Sequence, residues 1–186
     1  MAGMLAVRRA AAIIRAGGVV AYPTEGVWGL GCDPLDAEAV ARILDLKERP
    51  VTMGLILMAA DLEQLEPWIK PVSHEIEARV TAPWPGPVTW VFPARSWVPH
   101  WVHGGRGSLA VRVTAHAQSA ALCRATGFPI VSTSANRSGH PAARTAIQVR
   151  RWLAEDLDFI LGGATGGRQR RSEIRDAVTG RAYRAG

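Results

Sequence analysis

Lys47 and Arg49, two cations one residue apart in "KERP", are the first place in this chain to look for chemistry. They follow Val40, Ile43 and Leu44, which have the spacing of one buried helical face, and Lys47 extends that stripe seven residues beyond Val40. A lysine there has two readings. Its stem covers the core while the ammonium reaches solvent near the helix C-terminus, or Lys47 and Arg49 enter a cleft together and bind an anion. The second place is "STSANRSG", residues 132–139, which follows an apolar strand. Ligands of open α/β sheets tend to sit just beyond strand ends, and Ser134 and Asn136 offer donors and acceptors without bulk. The plainer reading is a polar turn with a helix cap. The third is "SLAVRV". Alternation puts Leu109, Val111 and Val113 on one face and Ser108, Ala110 and Arg112 on the other. An Arg on that face is solvated or, where the face lines a cleft, clamps a carboxylate or phosphate.

A fourth stretch, "AYPTEGVWGLGCD", residues 21–33, places a hydroxyl (Thr24) and a carboxylate (Glu25) where a strand ends, then continues in glycines and apolar residues. A phosphate-binding loop of the G-x-x-x-x-G-K-[ST] type occurs nowhere in the chain, so other residues must hold the phosphates of any nucleotide. Other stretches only imitate sites. "HEIEA" opens like a zinc motif but has Ala78 where the second His is required. His100 and His103 have no evident third ligand, so no metal site is expected. The tryptophans are scattered, as core or surface anchors rather than a stacking platform. The tail bearing Arg168, Arg170 and Arg171 has three readings: a solvated face, an RNA contact, or active-site arginines.

The elements that must position these residues alternate. Helices are expected over residues 4–16, 37–48, 73–80, 115–126 and 145–153, with Asp36 as an N-cap and Gly17 and Gly127 as stops. Pro50 ends the second of them at Arg49, and Asp61 caps a short further helix. Strands are expected over 19–22, 27–32, 54–58, 88–92, 109–113, 130–133 and 159–161, and a turn at Thr179–Gly180. This pattern predicts an α/β fold with a twisted, largely central mixed sheet flanked by helices, in a single domain over residues 1–186.

Composition limits the class. With 48% apolar residues, the chain can bury a core without staples. The net charge of +6 permits binding of phosphates, nucleotides or RNA and says nothing of fold. Lys47 and Lys70 are the only lysines, so Arg has replaced Lys almost everywhere else. Cys32 and Cys123 form no paired motif and read as buried free thiols. The N-terminal apolar run is too short and too arginine-flanked for a signal peptide, and no run approaches a membrane span, so a cytoplasmic location without membrane association is expected.

Taken in order, "YPTEGVWGLGCDP", "KERP", "PGPVTWV", "LAVRV", "STSANRSG" and "SEIRD" resemble the threonylcarbamoyl-AMP synthase family of the YrdC/TsaC type, over nearly the whole chain. The length is that of the short bacterial form. The resemblance implies a YrdC-like fold and a nucleotidyltransferase that makes threonylcarbamoyl-adenylate and pyrophosphate from L-threonine, bicarbonate or CO2, and ATP. Mg2+ would accompany the ATP, and no tightly bound cofactor is implied. The product would pass to a threonylcarbamoyl transferase machinery that modifies tRNA next to the anticodon, and weak binding of tRNA or double-stranded RNA is allowed. By motif, Lys47, Arg49, Ser134 and Asn136 would hold the ATP phosphates and reaction centre. Thr24 would meet L-threonine and Arg112 its carboxylate. Ser108, Ser132, Ser172 and Arg184 fall at or near further contacts: Ser132 and Ser172 on the L-threonine side, Ser108 and Arg184 on the ATP side. Pro23 and the glycines after it would let backbone approach the ligands. "GLILMA" lacks the His that longer members often carry there. The rival readings are a non-catalytic RNA-binding module of the same fold and a related domain acting on another carbamoyl donor.

Overall fold

The structure is a computed structural model that describes residues 2–168 and 172–184. Arg170 and Arg171 therefore lie outside the described residues. The elements are α1 (Ala2–Arg15), β1 (Val20–Pro23), β2 (Trp28–Gly31), α2 (Ala37–Leu46), β3 (Ile56–Ala59), α3 (His74–Thr81), β4 (Val88–Pro93), α4 (His100–His103), β5 (Ser108–Val113), α5 (Ala117–Thr126), β6 (Ile130–Ser134), α6 (Ala146–Leu153), β7 (Phe159–Ile160), β8 (Glu173–Asp176) and β9 (Ala182–Arg184). The strands form one nine-stranded mixed sheet in the order β7-β1-β2-β6-β3-β5-β4-β8-β9. The pairs β1–β7, β3–β5 and β4–β8 are parallel and the rest antiparallel.

Local chemistry explains the helix limits. Asp36 caps α2 by accepting from Ala39 N–H, Ser73 caps α3 the same way at Ile76, and Thr145 with Gln148 closes a capping box on α6. Gly127 ends α5 at φ 85°, a conformation only glycine adopts without strain. Asp61 does accept from Gln64 N–H, but the segment that follows is a run of turns instead of the expected helix. Five elements were not expected from the sequence: α4, the 3-10 turns Val51–Met53 and Ala154–Asp156, and the strands β8 and β9.

The two faces of the sheet differ. On one, Leu109, Val111 and Val113 of β5 join Leu57 and Ala59 of β3, Trp28 and Leu30 of β2, and Ala39, Val40, Ile43 and Leu44 of α2 in the larger core. On the other, α1 and α5 cover Val20, Tyr22, Met58 and Ile130. Among the described residues, no other helix covers the rest of that second face. Cys32 and Cys123 are free thiols buried in the two cores, one in each, and burial pushes Cys123 up to about 12. Among the described residues, no helix is long and apolar enough to cross a membrane.

Candidate active site

Where helices leave the second sheet face open, strand register lines up small polar residues. Met58 pairs with Arg112, Ile56 with Ala110 and Ser132, and Gly29 with Ser134, so these side chains share one face. Gly29, Ile56, Ala110, Arg112, Ser132 and Ser134 line a cavity of about 1070 Å3, large enough for a nucleotide with a second small substrate. The expectation of a site just beyond strand ends holds for Thr24 past β1 and Asn136 past β6, but the cavity also runs over the sheet face. It does so because α1 and α5 cover only part of that face.

All ten residues singled out in the sequence line this cavity: Thr24, Lys47, Arg49, Ser108, Arg112, Ser132, Ser134, Asn136, Ser172 and Arg184. Lys47 is the C-cap of α2 and does not turn out to solvent. Its Nζ donates to Ser134 O (2.9 Å), Asn136 Oδ1 (2.9 Å) and Asn136 O (3.3 Å). Ser134 Oγ donates to the same Asn136 Oδ1 at 2.7 Å, and Asn136 Nδ2 donates to His140 O at 2.7 Å, so the loop after β6 is organised around the lysine. Arg49 donates from Nε and Nη2 to Gly54 O, at 3.2 and 2.9 Å. Burial, and then the nearby charge of Arg106, pull the Arg49 guanidinium below its ordinary value. Two such cations on one wall favour an anion between them.

The tail reaches the same cavity. β8 pairs with β4, and β9 brings Arg184 back so that its Nη2 donates to Ser172 O at 2.9 Å. Thr89 Oγ1 donates to Ser172 Oγ at 3.2 Å. Arg168 also lines the cavity, and its N–H donates to Glu25 O. Of the three tail arginines read as a possible RNA contact, the one described faces the cavity.

Deeper in, Thr24 is nearly buried, and its hydroxyl donates to Val27 O at 2.7 Å. Toward a ligand that oxygen can therefore only accept. Arg112 is 8% exposed and Ser132 equally buried. Arg112 Nη1 lies 3.4 Å from Glu25 Oε2, and its Nη2 is 3.5 Å from Met58 Sδ. Burial raises the Glu25 pKa, but Arg112 and a hydrogen bond from Thr114 more than offset it, and the carboxyl ends below its ordinary value.

The glycines of β2 do a different job from the one expected. A Cβ on Gly31 would lie 2.5 Å from Val131 O of the neighbouring strand, and one on Gly29 would lie 3.2 Å from the Tyr22 ring. They make room for Tyr22 and β6, and Gly29 also lines the cavity. Reading the sequence missed Glu25 and Arg106 as parts of the site. Glu25 carried a signal in its place at a strand end. Arg106 lay in a glycine-rich turn with no motif around it.

The Sua5–YciO–YrdC family model, described as "Telomere recombination", matches residues 12–186. The chain belongs to the Sua5/YciO/YrdC family. It is 55% identical over 178 residues to a threonylcarbamoyl-AMP synthase of Nitrosococcus oceani, covering 96% of each chain. Among solved structures, P. abyssi Sua5 complexed with L-threonine aligns at a TM-score of 0.83 and 39% identity, over 91% of this chain and 50% of that one. The chain thus spans about half the length of that protein. E. coli YciO aligns at a TM-score of 0.79 and 27% identity, over 93% of this chain and 84% of that one. In this Sua5/YciO/YrdC chain, the described carboxylates lining the cavity are Glu25 and Glu48, against a clear excess of arginines. Among the described residues, no group of three or more His, Cys, Asp or Glu is placed to hold a metal ion.

Proposed function

We infer that this chain is an enzyme that forms threonylcarbamoyl-AMP and pyrophosphate, using ATP as a substrate. One observation carries this reading. A single cavity joins a Lys47–Ser134–Asn136 cluster at the mouth of the sheet face to a buried Arg112 on its floor. The similarity to threonylcarbamoyl-AMP synthases over nearly the full length supports it.

L-Threonine and bicarbonate or CO2 are the other substrates. Arg112 receives the L-threonine carboxylate. The Thr24 oxygen, its proton committed to Val27, accepts from the amine or hydroxyl of the amino acid. Lys47, Arg49 and Arg184 face the triphosphate, with Ser134 and Asn136 aligning Lys47. Ser108, Ser132 and Ser172 supply small donors along the path between the two ends. The amine takes up CO2 to give a carbamate, losing a proton. A carbamate oxygen attacks the α-phosphorus, and the bond to the bridging oxygen breaks as pyrophosphate leaves. Catalysis here is positional and electrostatic: fixed cations offset the charge that builds on the phosphates. Mg2+ fits this site only as a companion of the triphosphate, since the donors lining the cavity are mainly cationic and hydroxyl groups; there it would neutralise phosphate charge. The product is passed on for tRNA modification in the cytoplasm. Any RNA binding is weak, salt-sensitive and separate from catalysis.

The test is incubation with ATP, bicarbonate and each amino acid in turn, with detection of product by mass. Threonylcarbamoyl-AMP should appear, and L-threonine should be preferred to L-serine by about 10–200-fold, the worth of one methyl in a small pocket. Equal use of many amino acids would overturn the substrate assignment.

A further inference from the structure

Among the described residues, Glu25 carries the carboxylate that faces Arg112 in the cavity, and the reaction as written leaves it without a role. It is almost enclosed. Its side chain is 13% exposed and that of Arg112 is 10% exposed. Oε1 accepts from Thr114 Oγ1 at 2.7 Å and from Ala115 N–H at 3.0 Å, both just past the end of β5. Oε2 makes no hydrogen bond and lies 3.4 Å from Arg112 Nη1. The backbone is tied as well. Glu25 O accepts from Arg168 N–H at 2.9 Å, and Thr24 O accepts from Gly166 N–H at 3.0 Å. The turn that carries Glu25 is thus clamped between the end of β5 and the 162–168 segment.

A buried guanidinium needs a counter-charge, and an arginine side chain that is not held loses its direction. Met58 Sδ is a weak acceptor, and Arg112 Nε has no partner, so Glu25 is the strong contact that fixes the group. We propose that Glu25 is a positioning residue that holds Arg112 in the orientation that receives the L-threonine carboxylate. This rests on the reading of Arg112 given above. Glu25 touches no reacting atom and acts through Arg112, so its loss should fall on L-threonine and spare ATP.

The experiment compares steady-state constants for both substrates in Glu25→Gln, Glu25→Asp, Arg112→Lys and the double variant Glu25→Gln/Arg112→Lys. A glutamine can still accept from Thr114 and Ala115, but it turns an N–H donor toward Arg112, so it breaks only the contact in question. In Glu25→Gln, KM for L-threonine should rise about tenfold or more while KM for ATP moves less than about twofold. Glu25→Asp, which keeps the charge, should recover part of the loss. The double variant should be no worse than Arg112→Lys alone, because both act through one contact. If Glu25→Gln fails to fold, Glu25→Asp takes its place: a rise confined to L-threonine supports the role. If Arg112→Lys raises KM for L-threonine but the Glu25 variants do not, positioning is overturned and the reading of Arg112 stands. An Arg112→Lys variant with unchanged KM for L-threonine overturns both. Equal rises for both substrates, or effects that multiply in the double variant, also contradict the proposal.

Discussion

Lys47 and Arg112 line the same cavity, but Lys47 donates to Ser134 and Asn136 oxygens near its opening, and Arg112 faces a carboxylate on its floor. The Lys47 ammonium donates to two carbonyls and an amide oxygen and is only partly buried, at a place an arriving anion can reach. Arg112 sits on the floor, almost closed off from water, with the Glu25 carboxylate 3.4 Å from it. A cation near the opening can be kept by dipoles, whereas a buried one requires an ion partner. The two ends should therefore fail differently. Changes at Lys47 remove charge from the reaction centre, and changes around Arg112 disturb the direction of recognition.

The largest expected effect is Lys47→Ala. It should lower turnover by about 10²–10³-fold, the usual loss for a preorganised donor at a charge-developing centre. The melting temperature should fall modestly, since Nζ anchors Ser134 and Asn136 at the start of the loop after β6. Lys47→Arg should still lose at least ~10-fold. A planar fork cannot reach Ser134 O and Asn136 Oδ1 from the one point where Nζ now sits. Pyrophosphate release and melting curves measure both variants. Near-normal turnover in Lys47→Arg would show that any cation suffices at that end.

Thr24→Val comes next, at the other end. It removes an acceptor for L-threonine and the hydrogen bond to Val27, which contributes about 1 kcal/mol. KM for L-threonine should rise well above any change in KM for ATP, with a modest fall in melting temperature. Equal changes for both substrates would make Thr24 a turn-forming residue only.

Smaller again is a pH effect. The Glu25 carboxyl is lowered from 4.5 on folding, so its contribution is fully present above that value and is lost as pH falls through its lower folded value. Melting temperature followed from about pH 6 to pH 3 should fall more steeply for the wild type than for Glu25→Gln. Parallel curves would mean that the Glu25–Arg112 contact contributes nothing to stability. Smallest of all is Lys70→Arg. That lysine is exposed, away from the cavity, and its replacement should be silent in turnover and melting.

How much of this was legible in the sequence follows the same division. Lys47 is placed by helical period and Arg112 by strand alternation, and the structure puts both on the cavity, so local patterns located them. Ser134 ends β6 and Asn136 stands just past it, and both were equally visible. The Glu25–Arg112 contact was not. Its partners are 87 positions apart in the chain, and only the sheet brings them together. β8 and β9 were hidden for a related reason. Glu173, Ile174, Arg175 and Asp176 show no apolar alternation, because this edge is only partly buried and is held by pairing with β4. The glycines of β2 were seen, but their cause, the Tyr22 ring and the β6 backbone, lies outside the local sequence.

The account's central claim is that one cavity couples an amino-acid end to a phosphate end. The most direct test is pyrophosphate release by the purified chain with ATP, bicarbonate and L-threonine, each left out in turn. The account predicts release only when all three are present. Rapid release from ATP without L-threonine would contradict it.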